Sequence, residues 1–449
     1  MSEMRGSVSV IGLGKLGLPM AYAYASHGYK VIGVDKSGAV IGGLRKGKIN
    51  ISETGLDELR VKVSKEIEFV DDHRIEYAIA NTEMTFIIVP TPSLSNGEFS
   101  NKYINEALRR IGKALKRKDT FHIVVVTSTV MPGSCETIFK PLLERLSGKK
   151  NGVDFGLFYN PEFIALGSVI HDLTNPDVLL IGEEDINSPS GDRLVEVLTS
   201  ICDNVPSIHR MSYCNAELSK LSLNVFVTTK ITLANVFAEM CEHMPDGDVD
   251  AVTNFLGADS RIGHKYLKGG LGFAGECFPR DNRAFMALAR KYGVKPNLQR
   301  ATDSVNEYYG TRVAYNVDEY FHHQLEGVVV SILGVAFKPK TNVTTESPAL
   351  LMATELLSRG AKVNLYDPAL KSGEVRPLED KTGLQYYDDM QSCIDDSNCV
   401  IIATPWDEFK MLTSKNFPNR IPLFDCWRIL DKGELGGSVI YKELGRGGR

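Results

Sequence analysis

The chain has 449 residues, 43% of them hydrophobic and 24% charged, with 40 glycines and 19 prolines, which is the make-up of a globular protein and excludes a fibrous or low-complexity one. A net charge of −5 gives no general attraction to nucleic acid or to an acidic membrane surface, and neither is expected as a partner. The length suggests about three domains, no run of 18 apolar residues suggests a membrane span, and eight scattered cysteines without a C-x-x-C pair point to free thiols in a reducing, cytoplasmic setting.

The first apolar stretch, 8–18, is short and broken by three glycines and a lysine, so it does not read as a signal peptide. It reads instead as a strand over 7–11 (SVSVI), then Gly12-Leu13-Gly14-Lys15-Leu16-Gly17, a helix to about residue 27, and a second strand over 30–34 ending at Asp35. Strand, G-x-G-x-x-G, helix, strand and acid, with the acid at close to the ~20-residue spacing, is a dinucleotide-binding fingerprint. Gly12 permits the tight turn, Gly14 lets a pyrophosphate approach the backbone, and Gly17 lets helix and strand pack closely. The helix N-terminus offers N–H groups and its dipole to the phosphates. Asp35 accepts from the ribose hydroxyls and repels a 2′-phosphate, so NAD is expected over NADP, a preference that Lys36 weakens a little. The competing reading is a glycine-rich turn that binds nothing.

Two more parallel-type strands end at small hydroxyl residues: 84–89 (MTFIIV) before Pro90-Thr91-Pro92, and 122–127 (HIVVVT) before Ser128-Thr129. Ligands of open α/β sheets lie outside the carboxyl ends of the strands, so Thr91 and Thr129 either meet the cofactor or serve as turn and helix-cap residues. The expected cofactor set is Gly12, Gly14, Leu16, Gly17, Asp35, Lys36, Thr91 and Thr129.

A long helical pattern follows over 215–244. Glu217, Lys220 and Asn224 share one face. An arbitrary lysine is a solvated surface group, but Leu218, Leu221, Leu223, Val225, Phe226 and Val227 make this helix apolar almost all round, as a buried helix is. A buried lysine and asparagine need partners, which a polar ligand supplies. Then comes 268–281, KGGLGFAGECFPRD, a flexible or closely approached loop leading to Pro279 and Asp281 in the first turn of a helix. Cys277 falls near that N-terminus, where N–H groups favour a thiolate. The alternative is a buried, inert cysteine, the better reading for Cys202, Cys241, Cys393 and Cys399.

The last third repeats the rhythm with strands over 328–333, 362–366 (ending at Asp367), 399–403 and 421–424, but lacks a G-x-G-x-x-G. The tail 445–449 (GRGGR) is expected to be disordered. The fold class is therefore α/β, two Rossmann-like doubly wound domains joined by a long central helix, with domains at 1–210, 211–310 and 311–449.

Taken together, the segments VIGLGKLGLP (10–19), VPTP (89–92), STVMPG (128–133), NPEF (160–163), AELSKLSLN (216–224), RIG (261–263), GFAGECFPRD (272–281), GVAFKP (334–339) and TPWDEF (404–409) resemble the nucleotide-sugar 6-dehydrogenases, the family of UDP-glucose and GDP-mannose 6-dehydrogenases. The resemblance runs along essentially the whole chain. It implies a four-electron oxidation of a sugar C6 alcohol to a carboxylate with two NAD per turn, in a homodimer. It implies Cys277 as the nucleophile that forms a thiohemiacetal and then a thioester, with Lys220 or a water held by Asp281 as base. Lys220 and Asn224 would stabilise oxyanions, and Glu162 and Thr129 would position water and the reacting centre. Substrate contacts are implied for Phe163, Lys220, Asn224, Arg261 (in the neighbouring subunit's site), Gly272, Phe273, Phe337, Lys338 and Arg428. No metal is expected.

The chain departs from the family pattern at Ala165 and Leu166, where an Arg and a Glu are usual, at Val343 and Thr345, where an Asp and an Arg are usual, and at Arg280, where a Lys is usual. CFPRD resembles the UDP-glucose and GDP-mannose groups more than the N-acetylhexosamine group, and UDP-glucose is the expected substrate. The readings of other classes are a two-electron hydroxyacid dehydrogenase, which needs no thiol, and a non-catalytic protein that binds NAD or a sugar nucleotide.

Overall fold

A computed structural model of the chain describes residues 5–49, 51, 53–63, 66–371, 373–374, 381–417, 419–437 and 439–448. The chain divides into two compact units, Met1–Ser222 and Leu223–Arg449.

The first unit is built on strands β1 (Gly6–Ile11), β2 (Tyr29–Asp35), β3 (Ile67–Asp71), β4 (Met84–Ile87), β5 (His122–Val126), β6 (Phe155–Tyr159), β7 (Val178–Glu183) and β8 (Ser207–Ser212). They form one sheet in the order β3-β2-β1-β4-β5-β6-β7-β8, parallel except where β6 meets β7. The strands read as unbroken apolar runs because both faces are covered. Val8, Val31, Ile123 and Val125 enter one core, while Ile11, Ile32, Val124 and Val126 enter the other.

The second unit holds β9 (Val329–Leu333), β10 (Lys362–Tyr366), β11 (Leu384–Tyr386), β12 (Cys399–Ile402), β13 (Ile421–Asp425) and β14 (Val439–Glu443), all parallel, in the order β11-β10-β9-β12-β13-β14. Its strands alternate in the same way, Val330, Ile332 and Ile401 into one core and Leu333, Val400 and Ile402 into the other. Each sheet is thus doubly wound, and its chain reverses direction beside its first strand, β1 or β9, where crevices form.

The long helix spans Tyr213–Glu242. The expectation that it is buried all round does not hold: Leu218, Leu223 and Leu233 are exposed, and Phe226 is 69% exposed. By length and composition alone it would pass for a membrane-crossing helix, with 44% of its most apolar window buried inside the protein. The expectation of a disordered tail also fails for residues 445–448; Arg449 lies outside the described residues. The Gly445 N–H donates to Glu242 (2.7 Å), the Val249 N–H donates to the Gly445 carbonyl (3.0 Å), and Arg446 pairs with Asp250 (2.9 Å) and Asp248. A low-complexity stretch is ordered here by partners distant in sequence.

Candidate active site

The turn after β1 has the geometry its glycines predict. Gly12 has φ +98°, and a Cβ there would stand 2.0 Å from the Ile88 carbonyl oxygen. A Cβ on Gly17 would stand 1.9 Å from the Gly12 carbonyl oxygen, whereas one on Gly14 would meet nothing within 4 Å. Two glycines are needed for packing, and the third faces open space. Asp35, at the end of β2, accepts the Leu13 N–H on Oδ2 and the Ser37 N–H on Oδ1, both at 2.8 Å.

A cavity of about 710 Å³ opens on this turn, lined among others by Gly12, Gly14, Leu16, Gly17, Asp35 and Lys36. The groups present fit NAD: a bare Gly14 faces the cavity at a helix N-terminus and a carboxylate ends β2. Its far wall was not read from the sequence. Tyr103, Arg109 and Arg110 reach it from the helix Lys102–Leu115, and Asp72 follows β3. The Lys36 ammonium stands 4.0 Å from the Tyr103 ring centroid, and Arg110 pairs with Asp72 at 3.0 Å. Thr91 and Thr129 follow β4 and β5 as expected, but neither lines this cavity; Thr91 is buried and Thr129 half-buried.

The segment after β6 carries Glu162 and Phe163. Lys220, almost fully buried on the long helix, donates from Nζ to the Glu162 carbonyl at 2.6 Å and stands 4.5 Å from the Phe163 ring centroid. Burial pushes the Glu162 carboxyl up to about 7, against the opposing pull of the Lys220 charge. The departures next to it are accommodated locally. The Ala165 N–H donates to Asp172, and the N–H groups of Gly167 and Val169 donate to Glu53. Ile164 and Leu166 pack against the core.

In the second unit, Cys277 is exposed at the N-cap of the helix Phe278–Lys291, with Pro279 in the first turn. Cys135, Cys241, Cys393, Cys399 and Cys426 are buried, and burial raises their thiol pKa values, as it does for the partly exposed Cys202, pushed up to about 11. The loop before Cys277 is closely approached rather than flexible. Asn235 accepts the Gly270 N–H and donates to the Leu271 carbonyl. Asn306 brackets Phe273 with two hydrogen bonds, and a Cβ on Gly272 would stand 2.7 Å from its Oδ1. The Gly275 N–H donates to the Thr345 carbonyl, and the Phe337 ring lies against Gly275.

Asp281 is fully buried. Its Oδ1 accepts from Arg280 (2.9 Å from Nε, 2.8 Å from Nη2) and its Oδ2 accepts from Asn224 Nδ2 at 2.6 Å. Both oxygens therefore have protein donors. The Asp281 carboxylate and the Cys277 sulfur both favour the charged Arg280 against its burial.

The remaining residues are dispersed. Arg261 is exposed and forks onto Asp259. Lys338 Nζ stands 5.8 Å from the Phe337 ring centroid. Val343 is buried, and its carbonyl accepts the Phe337 N–H, so this departure fills an apolar position. Arg428 turns inward. Its guanidinium is taken up by Asp250 (2.9 and 3.0 Å) and by the Leu444 and Gly269 carbonyls, the geometry of a structural clamp.

The second sheet has no equivalent of the open turn. Ala336 stands where Gly14 stands in the first, and a Cβ on Gly334 would meet Thr404. Asp367, the counterpart of Asp35, is buried and accepts the N–H groups of Val335, Ala336 and Ala369 and the indole N–H of Trp406.

Three family models match the chain: the UDP-glucose/GDP-mannose dehydrogenase family NAD binding domain over residues 6–201, its central domain over 214–308 and its UDP binding domain over 331–432. The chain is 33% identical over 408 residues to the UDP-glucose 6-dehydrogenase AglM of Haloferax volcanii, covering 90% of this chain and 92% of that one. It is 33% identical over 362 residues to the GDP-mannose 6-dehydrogenase of Azotobacter vinelandii, covering 80% of each. Among solved structures, the UDP-glucose dehydrogenase of Pyrobaculum islandicum superposes with a TM-score of 0.87 at 32% identity, covering 99% of this chain and 98% of that one.

Proposed function

The chain belongs to the UDP-glucose/GDP-mannose dehydrogenase family of NAD-dependent oxidoreductases, and from that premise we propose that it oxidises the C6 alcohol of UDP-glucose to the carboxylate of UDP-glucuronate. The observation that carries this reading is the Cys277 thiol, exposed at a helix N-terminus on a loop that Asn235, Asn306 and Thr345 hold in place.

The oxidation twice removes a hydride from C6 and a proton from the hydroxyl oxygen that C6 carries. NAD, held by Gly12, Gly14, Gly17, Asp35 and Lys36, supplies the hydride acceptor. Loss of the first hydride and proton leaves an aldehyde. The Cys277 sulfur bonds to the aldehyde carbon while the carbonyl oxygen takes up a proton, giving a thiohemiacetal. Loss of the second hydride and proton leaves a thioester, and water cleaves its C–S bond to release the carboxylate and restore the thiol.

Lys220 would supply the ammonium that stabilises the oxygen turning negative in these adducts. Glu162, ionising near neutrality, takes the proton of the hydrolytic water. Asp281 orients Asn224 and Arg280 from the first turn of the helix that Cys277 caps. Thr129 positions the reacting centre, Phe163, Gly272, Phe273, Phe337 and Lys338 contact the substrate, and Arg261 reaches the sugar in the neighbouring subunit's site. Arg428 supports the loop through Gly269.

The UDP-glucose enzymes among the relatives support this substrate. GDP-mannose is the second reading, supported by the equally identical Azotobacter relative. The regions 1–210, 211–310 and 311–449 carry cofactor binding, catalysis with dimerisation, and nucleotide-sugar binding. The exposed Phe226, Leu233 and Met240 of the long helix are an apolar surface that a second copy would cover in a homodimer.

The test supplies NAD with UDP-glucose, GDP-mannose or UDP-N-acetylglucosamine and counts NADH and acid per sugar consumed. Two NADH per UDP-glucose are expected, and Cys277→Ser should lower acid formation by orders of magnitude. One NADH per sugar with the variant unimpaired would remove the covalent route. Turnover of GDP-mannose alone would reassign the substrate.

A further inference from the structure

Glu217 belongs to no step described above, yet it is among the most thoroughly engaged groups in the first unit. It has no solvent exposure. Its Oε2 accepts the Gly133 N–H at 2.6 Å and its Oε1 accepts the Cys135 N–H at 2.8 Å. The Cys135 thiol also hydrogen-bonds to it, which gives that buried cysteine a role. Nitrogen and sulfur donors thus meet this carboxylate. Two of them are backbone N–H groups at the start of the helical segment after β5, where a negative charge is favoured by the helix dipole.

These two N–H groups close one end of the turn that carries Thr129. The other end is fixed by Ser128, whose Oγ donates to the Val89 carbonyl (2.7 Å) and accepts the Val89 N–H (2.9 Å). Val89 lines the dinucleotide cavity. Thr129 therefore sits on a short span tied at Ser128 to the cavity wall and at Gly133 and Cys135 to the long helix. On that helix Lys220 lies three residues beyond Glu217, on the same face, with its own ammonium tied to the Glu162 carbonyl. One buried carboxylate thus links the turn bearing Thr129 to the helix bearing Lys220.

We propose that Glu217 is a positioning residue for the dehydrogenase reaction, setting the placement of Thr129 relative to Lys220 by holding the Ser128–Gly133 turn against the long helix. The proposal rests on the reading that Thr129 contributes to the reaction. A carboxylate is required because both bonds need an acceptor. The glutamine amide offers one acceptor oxygen and must turn its NH₂ toward the other N–H.

The experiment measures kcat and KM for NAD and for UDP-glucose in Glu217→Gln, Glu217→Asp, Thr129→Val and the Glu217→Gln/Thr129→Val double variant, with thermal unfolding of each. Glu217→Asp keeps the charge and shortens its reach by one methylene, so it serves where Glu217→Gln does not fold. Misplacing a reacting group by ~1 Å can cost ~100-fold, so kcat should fall about 10- to 100-fold in either single variant while KM for NAD changes little. In the Thr129→Val background the same substitution should cost almost nothing further, because it acts through that residue. A kcat within twofold of the unaltered enzyme in the folded Glu217 variant, or a loss that adds fully to that of Thr129→Val, overturns the proposal. Thr129→Val at full kcat removes the role of Thr129 and the proposal with it. An impaired Thr129→Val beside an unimpaired Glu217 variant leaves the Thr129 reading standing and removes only the link.

Discussion

Asn224 donates to Asp281 at 2.6 Å across two helices of the second unit, and Asp281 at that point has no exposure to water. Arg280 occupies the other oxygen. The carboxylate in the first turn of the helix Phe278–Lys291 is therefore a buried acceptor satisfied from two sides, and the group that completes it is the asparagine expected to meet substrate. Asn224→Ala should leave one buried oxygen without its donor and lower stability by about 1–3 kcal/mol. It should lower kcat as well. Denaturant unfolding beside steady-state kinetics checks both. Unchanged stability would mean that water replaces the amide.

Gly12 and Gly14 separate folding from cofactor binding. Gly12→Ala puts a Cβ into the Ile88 carbonyl at φ +98° and should destabilise strongly. Gly14→Ala meets nothing in the protein, so stability should stay within about 0.5 kcal/mol, while KM for NAD rises because the methyl occupies the phosphate approach. Thermal unfolding with and without NAD reads the difference, and Gly14→Ala binding NAD normally would remove the phosphate from that turn.

Much of the fold was legible because burial on both faces writes a strand as a plain apolar run, as in β1, β4, β5 and β12. The edges were not. β8 (SIHRMS) is polar and largely exposed, and β11 has three residues. The glycine turn and the Cys277 helix start could be read locally, since each depends on neighbours in the chain. The roles of Tyr103, Asn306 and Glu217 depend on partners dozens of residues away, and their own surroundings in sequence carry no mark of that. Phe226 misled for a different reason: an apolar residue reads the same whether its own chain or another surface covers it.

The Glu162 carboxyl, pushed up to about 7, sets an expected pH dependence. A raised carboxyl pKa means that the proton is held to higher pH, so the basic form is lost as pH falls through about 7. The kcat of acid formation should therefore drop toward tenfold per unit below that point and level off above it. Glu162→Gln should be slow, with that limb absent. A profile flat from pH 6 to 8 in the unaltered enzyme would exclude this carboxyl as the base.

The tail gives a prediction that its composition alone would not. Removing residues 445–449 deletes the hydrogen bonds to Glu242 and Val249 and the pairing of Arg446 with Asp250. At about 1 kcal/mol per hydrogen bond, roughly 2 kcal/mol of stability should be lost, measurable as a lower urea midpoint. A shortened chain of full stability would show those contacts to be dispensable.

Asp367, closed over by four donors in the second sheet, has a consequence for the order of events. The open glycine turn lies on the first sheet, so if the proposed four-electron oxidation holds, the electrons would be handed over in two instalments through that one seat. On that reading the reduced carrier would depart and a fresh one arrive in mid-course, and over that interval the half-finished sugar would need a tether other than the carrier itself.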